Sequence, residues 1–230
     1  LTPDETIGEV VSFFGRYELD AIGIGSFGPV DLNKTSKTYG FITTTPKEHW
    51  RQFNFVGKMR EHFPVPIGFS TDVNAALLGE VTWGQGKGYD SCTYMTVGTG
   101  IGVGATVAGQ LLHGFQHPEA GHIPVKRHPD DTFSGNCPYH ADCLEGMAAG
   151  PAIAARWGSK AEQLETEESV WELEAYYLAQ ALVNQILLLS PSKLIIGGGV
   201  MKAKQLLPLI RKNVVQMLNG YIQHENVIHR

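Results

Sequence analysis

The sequence predicts an α/β fold. Short apolar runs with strand character alternate with segments at helical spacing along the chain. Several of those runs end in glycine-bearing loops, and one amphipathic stripe near the C-terminal end is far too long for a strand. With 230 residues the chain suits one large domain or two modest lobes, and a hydrophobic content of 43% allows a substantial core.

Taken in order, Thr2-Pro3-Asp4-Glu5 supplies an N-cap, a proline and an acidic first turn, which predicts a helix to about Phe14. Ala21-Ile22-Gly23-Ile24-Gly25 is a short buried-strand run, ended by the loop Ser26-Phe27-Gly28-Pro29-Val30. Phe55 to Phe63 is expected to be a helix and Pro66 to Ser70 a strand. Asp72 sits at the end of that strand, and Val73 to Val81 runs at helical spacing. Ser91 to Val97 is β-rich, Gly98-Thr99-Gly100 interrupts it, and Ile101 to Val107 continues as a second strand. This is a hairpin with a glycine-rich bend, after which Ala108-Gly109-Gln110 turns toward Leu111.

Leu144 to Trp157 is mostly helical, with a break at Gly150-Pro151. A long helix from Ser169 to about Ser190 carries Trp171, Ala175, Leu178, Leu182, Ile186 and Leu189 on one stripe. Lys193 to Ile196 is a strand running into Gly197-Gly198-Gly199, and Lys204 to Leu218 is a further helix. Asn226-Val227-Ile228 begins another strand. The first residues enter a helix without an initiator Met and this last strand stops at once, so a piece of a longer protein is expected.

The net charge of −5, with no basic block, excludes sequence-independent nucleic-acid binding. No apolar run approaches the roughly 20 residues needed to span a bilayer. Ile186 to Leu189, for example, stops at Ser190-Pro191. The cysteines are Cys92, Cys137 and Cys143, and the last two stand at metal-ligand spacing. That usage suits a reducing cytoplasm better than a secreted disulfide scaffold.

The most informative stretch lies between Glu119 and Glu145. Cys137, His140 and Cys143 form Cys-x2-His-x2-Cys, and His122 stands upstream. Two thiolates and two imidazoles make a closed tetrahedral set for a structural zinc, with no position open for a reacting water. Spacing alone leaves His113, His117 and His128 in competition with His122 for the remaining position. Glu119 and Glu145 flank the cluster, and carboxylates accept hydrogen bonds from sugar hydroxyls. Asp72 is either an N-cap or a base: a carboxylate after a strand faces the crevice where α/β proteins bind ligands, and can take a proton from an attacking hydroxyl. Gly98-Thr99-Gly100 is a phosphate-loop candidate, since glycines let backbone N–H groups approach phosphate oxygens and Thr99 can donate a hydroxyl. The competing reading is a plain flexible hairpin. Gly197-Gly198-Gly199 suits close approach of a nucleoside, or is an ordinary αβ turn.

Together these motifs resemble the ROK family, which groups repressors, open reading frames and sugar kinases, and the resemblance covers nearly the whole chain in order. Gly25 to Asp31 resembles the family's early Gly-Pro loop, and Thr71-Asp72-Val73-Asn74-Ala75-Ala76 its catalytic segment. Gly98 to Gly102 resembles the second phosphate motif, and Glu119-Ala120-Gly121-His122 the Glu-x-Gly-His motif. That last match implies His122 as a zinc ligand and Glu119 as a sugar contact. Glu145 matches the second sugar glutamate, while Gly150-Pro151 and Gly197 to Gly199 match nucleotide-binding positions. Two departures stand out: Thr71-Asp72 replaces the usual Asn-Asp, and Cys-x2-His-x2-Cys replaces Cys-x-Cys-Gly-x2-Gly-Cys. The second departure, with the run His128 to Asp131, resembles the family's bacterial fructokinases.

The resemblance then implies an actin-like ATPase (ribonuclease H-like) fold, two lobes around a cleft, Mg2+-ATP, structural Zn2+ and a cytoplasmic homodimer. Residues 1–88 would be the remainder of the N-terminal lobe carrying Asp72. Residues 89–230 would be the C-terminal lobe with the phosphate hairpin, the zinc loop and the glycine-rich nucleotide turn. The implied activity is ATP-dependent phosphorylation of fructose to fructose 6-phosphate. Asp72 would be the base, and Asp72, Glu119 and Glu145 would bind the sugar. Gly98, Thr99, Gly100, Pro151 and Gly197 to Gly199 would bind ATP. The family's N-terminal Asp-x-Gly-Gly-Thr-Lys loop and C-terminal strand and helices are not in this sequence, so the active kinase is expected to be the longer parent. Mannose, glucose or N-acetylmannosamine are the alternative sugars. A sugar-sensing regulator or a sugar-binding pseudoenzyme on the same fold are the non-catalytic alternatives.

Overall fold

The computed structural model describes residues 1–222, so the strand expected at Asn226-Val227-Ile228 lies outside the described residues. The first half runs α1 (Pro3–Phe14), β1 (Ile22–Ser26), β2 (Phe41–Ile42), β3 (Phe53–Asn54), α2 (Phe55–His62), β4 (Ile67–Thr71) and α3 (Asp72–Trp83). The second half runs β5 (Cys92–Val97), β6 (Ile101–Val107), β7 (Gln110–Leu111), α4 (Leu144–Ala148), α5 (Gly150–Trp157), α6 (Glu168–Leu189), β8 (Lys193–Gly197) and α7 (Leu206–Leu218).

α1 begins where its chemistry says it should. Thr2 and Glu5 form a capping box, with the Thr2 N–H donating to Glu5 Oε2 at 2.7 Å and the Glu5 N–H to Thr2 Oγ1 at 3.3 Å. β1 and β4 pair in parallel, Ile22 opposite Ile67 and Ser26 opposite Thr71. Ile7 of α1 and Met59 of α2 join Phe63 in a small core that takes in Ile22, Ile24 and Ile67. A neighbouring apolar group packs Val30, Ile42 and Trp50 against Phe27 and Phe69. The short antiparallel pair β2–β3 supports it.

The second sheet has the order β7-β6-β5-β8. β5 and β6 form the expected hairpin, Val97 opposite Ile101, while β5 and β8 are parallel. A parallel pair needs a long crossover, which α4, α5 and α6 supply. The break before α5 falls at Ala149, which is extended; Gly150 and Pro151 open the next helix, where a missing N–H costs nothing. The stripe on α6 is buried at Trp171, Ala175, Leu178 and Leu182, then thins toward Ser190, whose left-handed conformation ends the helix. α7 starts at Leu206 because a single 3-10 turn, Val200–Lys202, comes first. The large core built on these elements draws its buried members only from Met95 onward, while the two small cores use only earlier residues.

α3 lies between the sheets, in contact with β1, β5 and β6. Missing side chains make this possible. A Cβ on Gly25 of β1 would stand 2.7 Å from Ala75 Cβ, and one on Gly104 of β6 would stand 2.8 Å from Asn74 Oδ1. The C-terminal ends of β4, β5 and β8 lead directly into Asp72, Gly98 and Gly198, respectively. Among the described residues no helix is long and apolar enough to cross a membrane.

Candidate active site and metal centre

The cap of α3 is Thr71, whose Oγ1 accepts the Asn74 N–H at 3.1 Å. Asp72 is therefore the first helical residue rather than the cap. It is exposed, and one of its oxygens accepts the Val73 N–H at 2.8 Å. With capping assigned to Thr71, the carboxylate is left for other chemistry.

Glu119 and Glu145 arrive from the loop after β7 and from the first turn of α4. Glu145 Oε2 accepts the Ile101 N–H at 2.9 Å, so one carboxylate oxygen is anchored on the glycine hairpin. A Cβ on Gly100 would stand 2.6 Å from that oxygen, which explains the need for glycine there. The Glu119 carboxyl is pushed up to about 7, by burial first and then by the charges of Glu145 and Asp72. The three carboxylates that the sequence singled out are therefore neighbours in space. Cavities of about 310 Å3, beside His128 and Tyr176, and about 540 Å3, beside Lys34 and Arg60, lie elsewhere. Asp72 is exposed and Glu119 is partly covered, and both border open surface.

The glycine stretches also converge. The Gly98 N–H bonds the Gly100 carbonyl at 2.9 Å, closing the hairpin bend, and the Gly98 carbonyl accepts the Gly150 N–H at 2.8 Å. A Cβ on Gly98 would have Gly199 N as its nearest neighbour, at 3.9 Å. Gly198 has φ +100° and abuts the Val97 backbone, so no side chain fits there. Pro151 stands one residue beyond Gly150, at the N-terminus of α5. Thr99 is exposed at the tip of the bend. These contacts bring Gly98, Gly150 and Gly199 together beside the hairpin that anchors Glu145.

The metal-type residues form a cluster. The ligand atoms of His122, Cys137, His140 and Cys143 all lie within 4.8 Å of one another. Cys137 Sγ is 3.7 Å from His122 Nδ1 and 3.8 Å from His140 Nδ1, and Cys143 Sγ is 3.5 Å from His122 Nδ1. A tetrahedron with metal–sulfur bonds of about 2.3 Å and metal–nitrogen bonds of about 2.0 Å has sulfur–nitrogen edges of about 3.5 Å. The donor set fits such an ion. Burial, then the Cys137 thiol and the charge of Glu145, push the Cys143 thiol up to about 11, so a thiolate there calls for a cation. The loop is braced by backbone bonds between Cys137 and Ala141 at 3.1 and 3.0 Å, and by an Arg127–Asp142 ion pair at 3.0 Å. The run His128 to Asp131 is held by Asp131, which accepts the Tyr177 hydroxyl at 2.6 Å and an Arg156 N–H at 3.2 Å. Burial alone would raise the Asp131 carboxyl, but these hydrogen bonds outweigh it and keep the group below its ordinary value.

His117 belongs to this region too, and sequence reasoning treated it only as a spare metal ligand. It lies outside the metal cluster. Its Nε2 accepts the Val30 N–H at 3.1 Å, and Nδ1 stands 3.5 Å from Glu119 Oε1. No local spacing announces a contact between positions 30 and 117.

Comparison with known proteins gives this geometry a context. A family model described as "ROK family" matches residues 2–230. A Bacillus subtilis (strain 168) protein, provisionally named a fructokinase, is 57% identical over 220 residues, covering 96% of this chain and 74% of its own length. The fructokinase of Lactococcus lactis subsp. cremoris is 47% identical over 222 residues, covering 96% of this chain and 76% of its own length. The ROK hexokinase of Thermus thermophilus superposes with a TM-score of 0.79 at 24% identity, over 95% of this chain and 78% of that one. A ROK glucokinase from Streptomyces griseus, solved with glucose and AMPPNP, gives 0.76 at 24% identity, over 97% and 81% of the two chains. At that identity the likeness is one of fold, and the fold is the actin-like ATPase architecture the motifs implied. With the family model spanning the chain from its second residue to its last, and identity above half to one relative, the chain belongs to the ROK family.

Proposed function

We propose that this chain carries the catalytic apparatus of an ATP-dependent fructokinase, which phosphorylates fructose to fructose 6-phosphate. The observation that carries the reading is the meeting of Asp72, Glu119 and Glu145 beside three converging glycine stretches. Relatives named fructokinases, at 41–47% identity over 96% of the chain, supply the choice of sugar.

In this reading the other oxygen of Asp72 accepts the proton of the fructose 6-hydroxyl as the hydroxyl oxygen bonds the γ-phosphorus and the bond to the β,γ-bridging oxygen breaks, with ADP as the leaving group. Glu119 and Glu145 accept hydrogen bonds from ring hydroxyls and fix which hydroxyl faces Asp72. Gly98, Thr99 and Gly100 hold phosphate oxygens, and Pro151 with Gly197 to Gly199 flank the nucleoside. Phosphoryl transfer has a loose transition state, so positioning and charge stabilisation supply most of the rate. Mg2+ bound with the nucleotide would offset phosphate charge. Zn2+ on His122, Cys137, His140 and Cys143, when bound, crosslinks the loop between the two sugar carboxylates and adds folding energy. The reading includes a division into lobes near residues 88 and 89, supported by the separate apolar cores. It also includes a cytoplasmic homodimer.

The deciding measurement is ADP release by the purified full-length protein with ATP and Mg2+, with fructose, mannose, glucose and N-acetylmannosamine in parallel. A kcat/KM for fructose at least tenfold above the others is expected. Equal or greater efficiency with another hexose would reassign the substrate, and no turnover by a correctly folded protein would sink the kinase reading.

A further inference from the structure

We propose that His117 is a positioning residue: it joins the Gly28-Pro29-Val30 loop to Glu119 and holds that carboxylate ready for the sugar. This rests on the assignment of Glu119 to sugar binding. The imidazole lies between two segments 87 residues apart in sequence. Its Nε2 accepts the Val30 N–H at 3.1 Å. In a neutral ring one nitrogen accepts and the other donates, so Val30 fixes the proton on Nδ1. Nδ1 is hydrogen-bonded to the Pro118 carbonyl at 3.4 Å, and Glu119 Oε1 stands beside it at 3.5 Å. The side chain is 3% exposed, and burial lowers its basicity, which keeps the ring neutral and the donor in place. Gly28 seats the ring from the other side, since a Cβ there would stand 3.3 Å from Cε1.

The Nδ1–Glu119 separation is longer than a good hydrogen bond. Catalytic contacts of this kind often tighten only when substrate arrives. A sugar drawing Glu119 into register would shorten the contact and fasten the Val30 loop, which belongs to the early cores, to a carboxylate of the later half. His117 would then set affinity for the sugar without touching it.

The two amide substitutions separate the roles of the two nitrogens. Gln reaches the place of Nε2 and can accept the Val30 N–H while losing the donor toward Glu119. Asn places an amide near Nδ1 and keeps that donor. In the full-length protein, His117→Gln is expected to raise KM for the hexose about tenfold, the scale of a hydrogen bond to a charged group, with KM for ATP within about twofold of wild type. His117→Asn is expected to recover most of that loss. Nitrogen-15 spectra of histidine-labelled wild type, assigned by the signal missing in His117→Gln, should show the proton on Nδ1. An unchanged hexose KM in His117→Gln, equal loss in both variants, or a proton on Nε2 would each overturn the proposal. If both variants misfold, the wild-type spectrum still decides. If wild type phosphorylates no hexose, the fructokinase reading fails by that result alone, and the tautomer still tests the link from Val30 through His117.

Discussion

Glu119 responds to pH where most carboxylates no longer do. Its pKa of about 7 means that near neutrality much of it is protonated, and a protonated carboxyl has lost acceptor capacity for sugar hydroxyls. KM for fructose is therefore expected to fall as pH rises from about 6 to about 8, and the slope should vanish in Glu119→Gln. A flat wild-type profile would contradict this. The sign for stability follows from the same shift. The folded pKa is raised, so the stability this group contributes is present below its unfolded value of 4.5 and is lost as pH rises through about 7. At Asp72, replacement by Asn removes the proton acceptor and leaves the Thr71 cap in place. A fall in kcat of about a hundredfold or more, with an unchanged circular dichroism spectrum, is the expected outcome. Near-normal kcat would exclude Asp72 as the base. Most of these residues were legible in the sequence because their chemistry is local: Cys-x2-His-x2-Cys announces itself by spacing, while Glu119 and His122 were singled out by the resemblance of Glu-x-Gly-His to a family motif. His117 did not, because its partner Val30 is remote in sequence and only the fold brings the two together.

At the scale of elements, the metal loop and the glycine bend carry the sharpest tests. Cys143→Ser removes one thiolate from a closed donor set. Wild type is expected to carry near-stoichiometric zinc by inductively coupled plasma mass spectrometry, and the purified variant to lack it and melt several degrees lower. Chelation of wild type should act in the same direction, and zinc-free wild type with an unaltered Tm would count against a structural ion. Gly100→Ala places a methyl against the Glu145 oxygen that holds Ile101. It should raise KM for sugar about tenfold while lowering Tm by no more than a few degrees, read by paired kinetics and thermal scans. The long elements were legible to within a residue or two because their periods repeat many times, as in α1, β6 and α6. The pair β2–β3 was not, since two-residue strands show no period, and the start of α7 shifted because a 3-10 turn took up the first residues after the glycines.

Across the whole molecule, α3 is the member that both sheets share. Leu77 in its middle is fully buried. Leu77→Ala should cost about 2–5 kcal/mol, and because α3 meets β1, β5 and β6, both halves should melt together. Two separate transitions in calorimetry would show that α3 does not couple them. The α/β class was readable from element order, whereas the position of α3 depends on Gly25 and Gly104 making room for it, a matter of packing that no alternation of strand and helix encodes. The parallel pairing of β5 with β8 has a consequence in time. Cys92 lies opposite Lys193, about a hundred residues further along, and such distant closure is slow. On the ribosome, the turn at Gly197 to Gly199, proposed to flank the nucleoside, emerges after Asp72, Glu119, Glu145 and all four members of the Cys/His cluster. If the proposed roles hold, a nascent chain gathers its metal and folds the loop around it well before the nucleoside side of the site has been made.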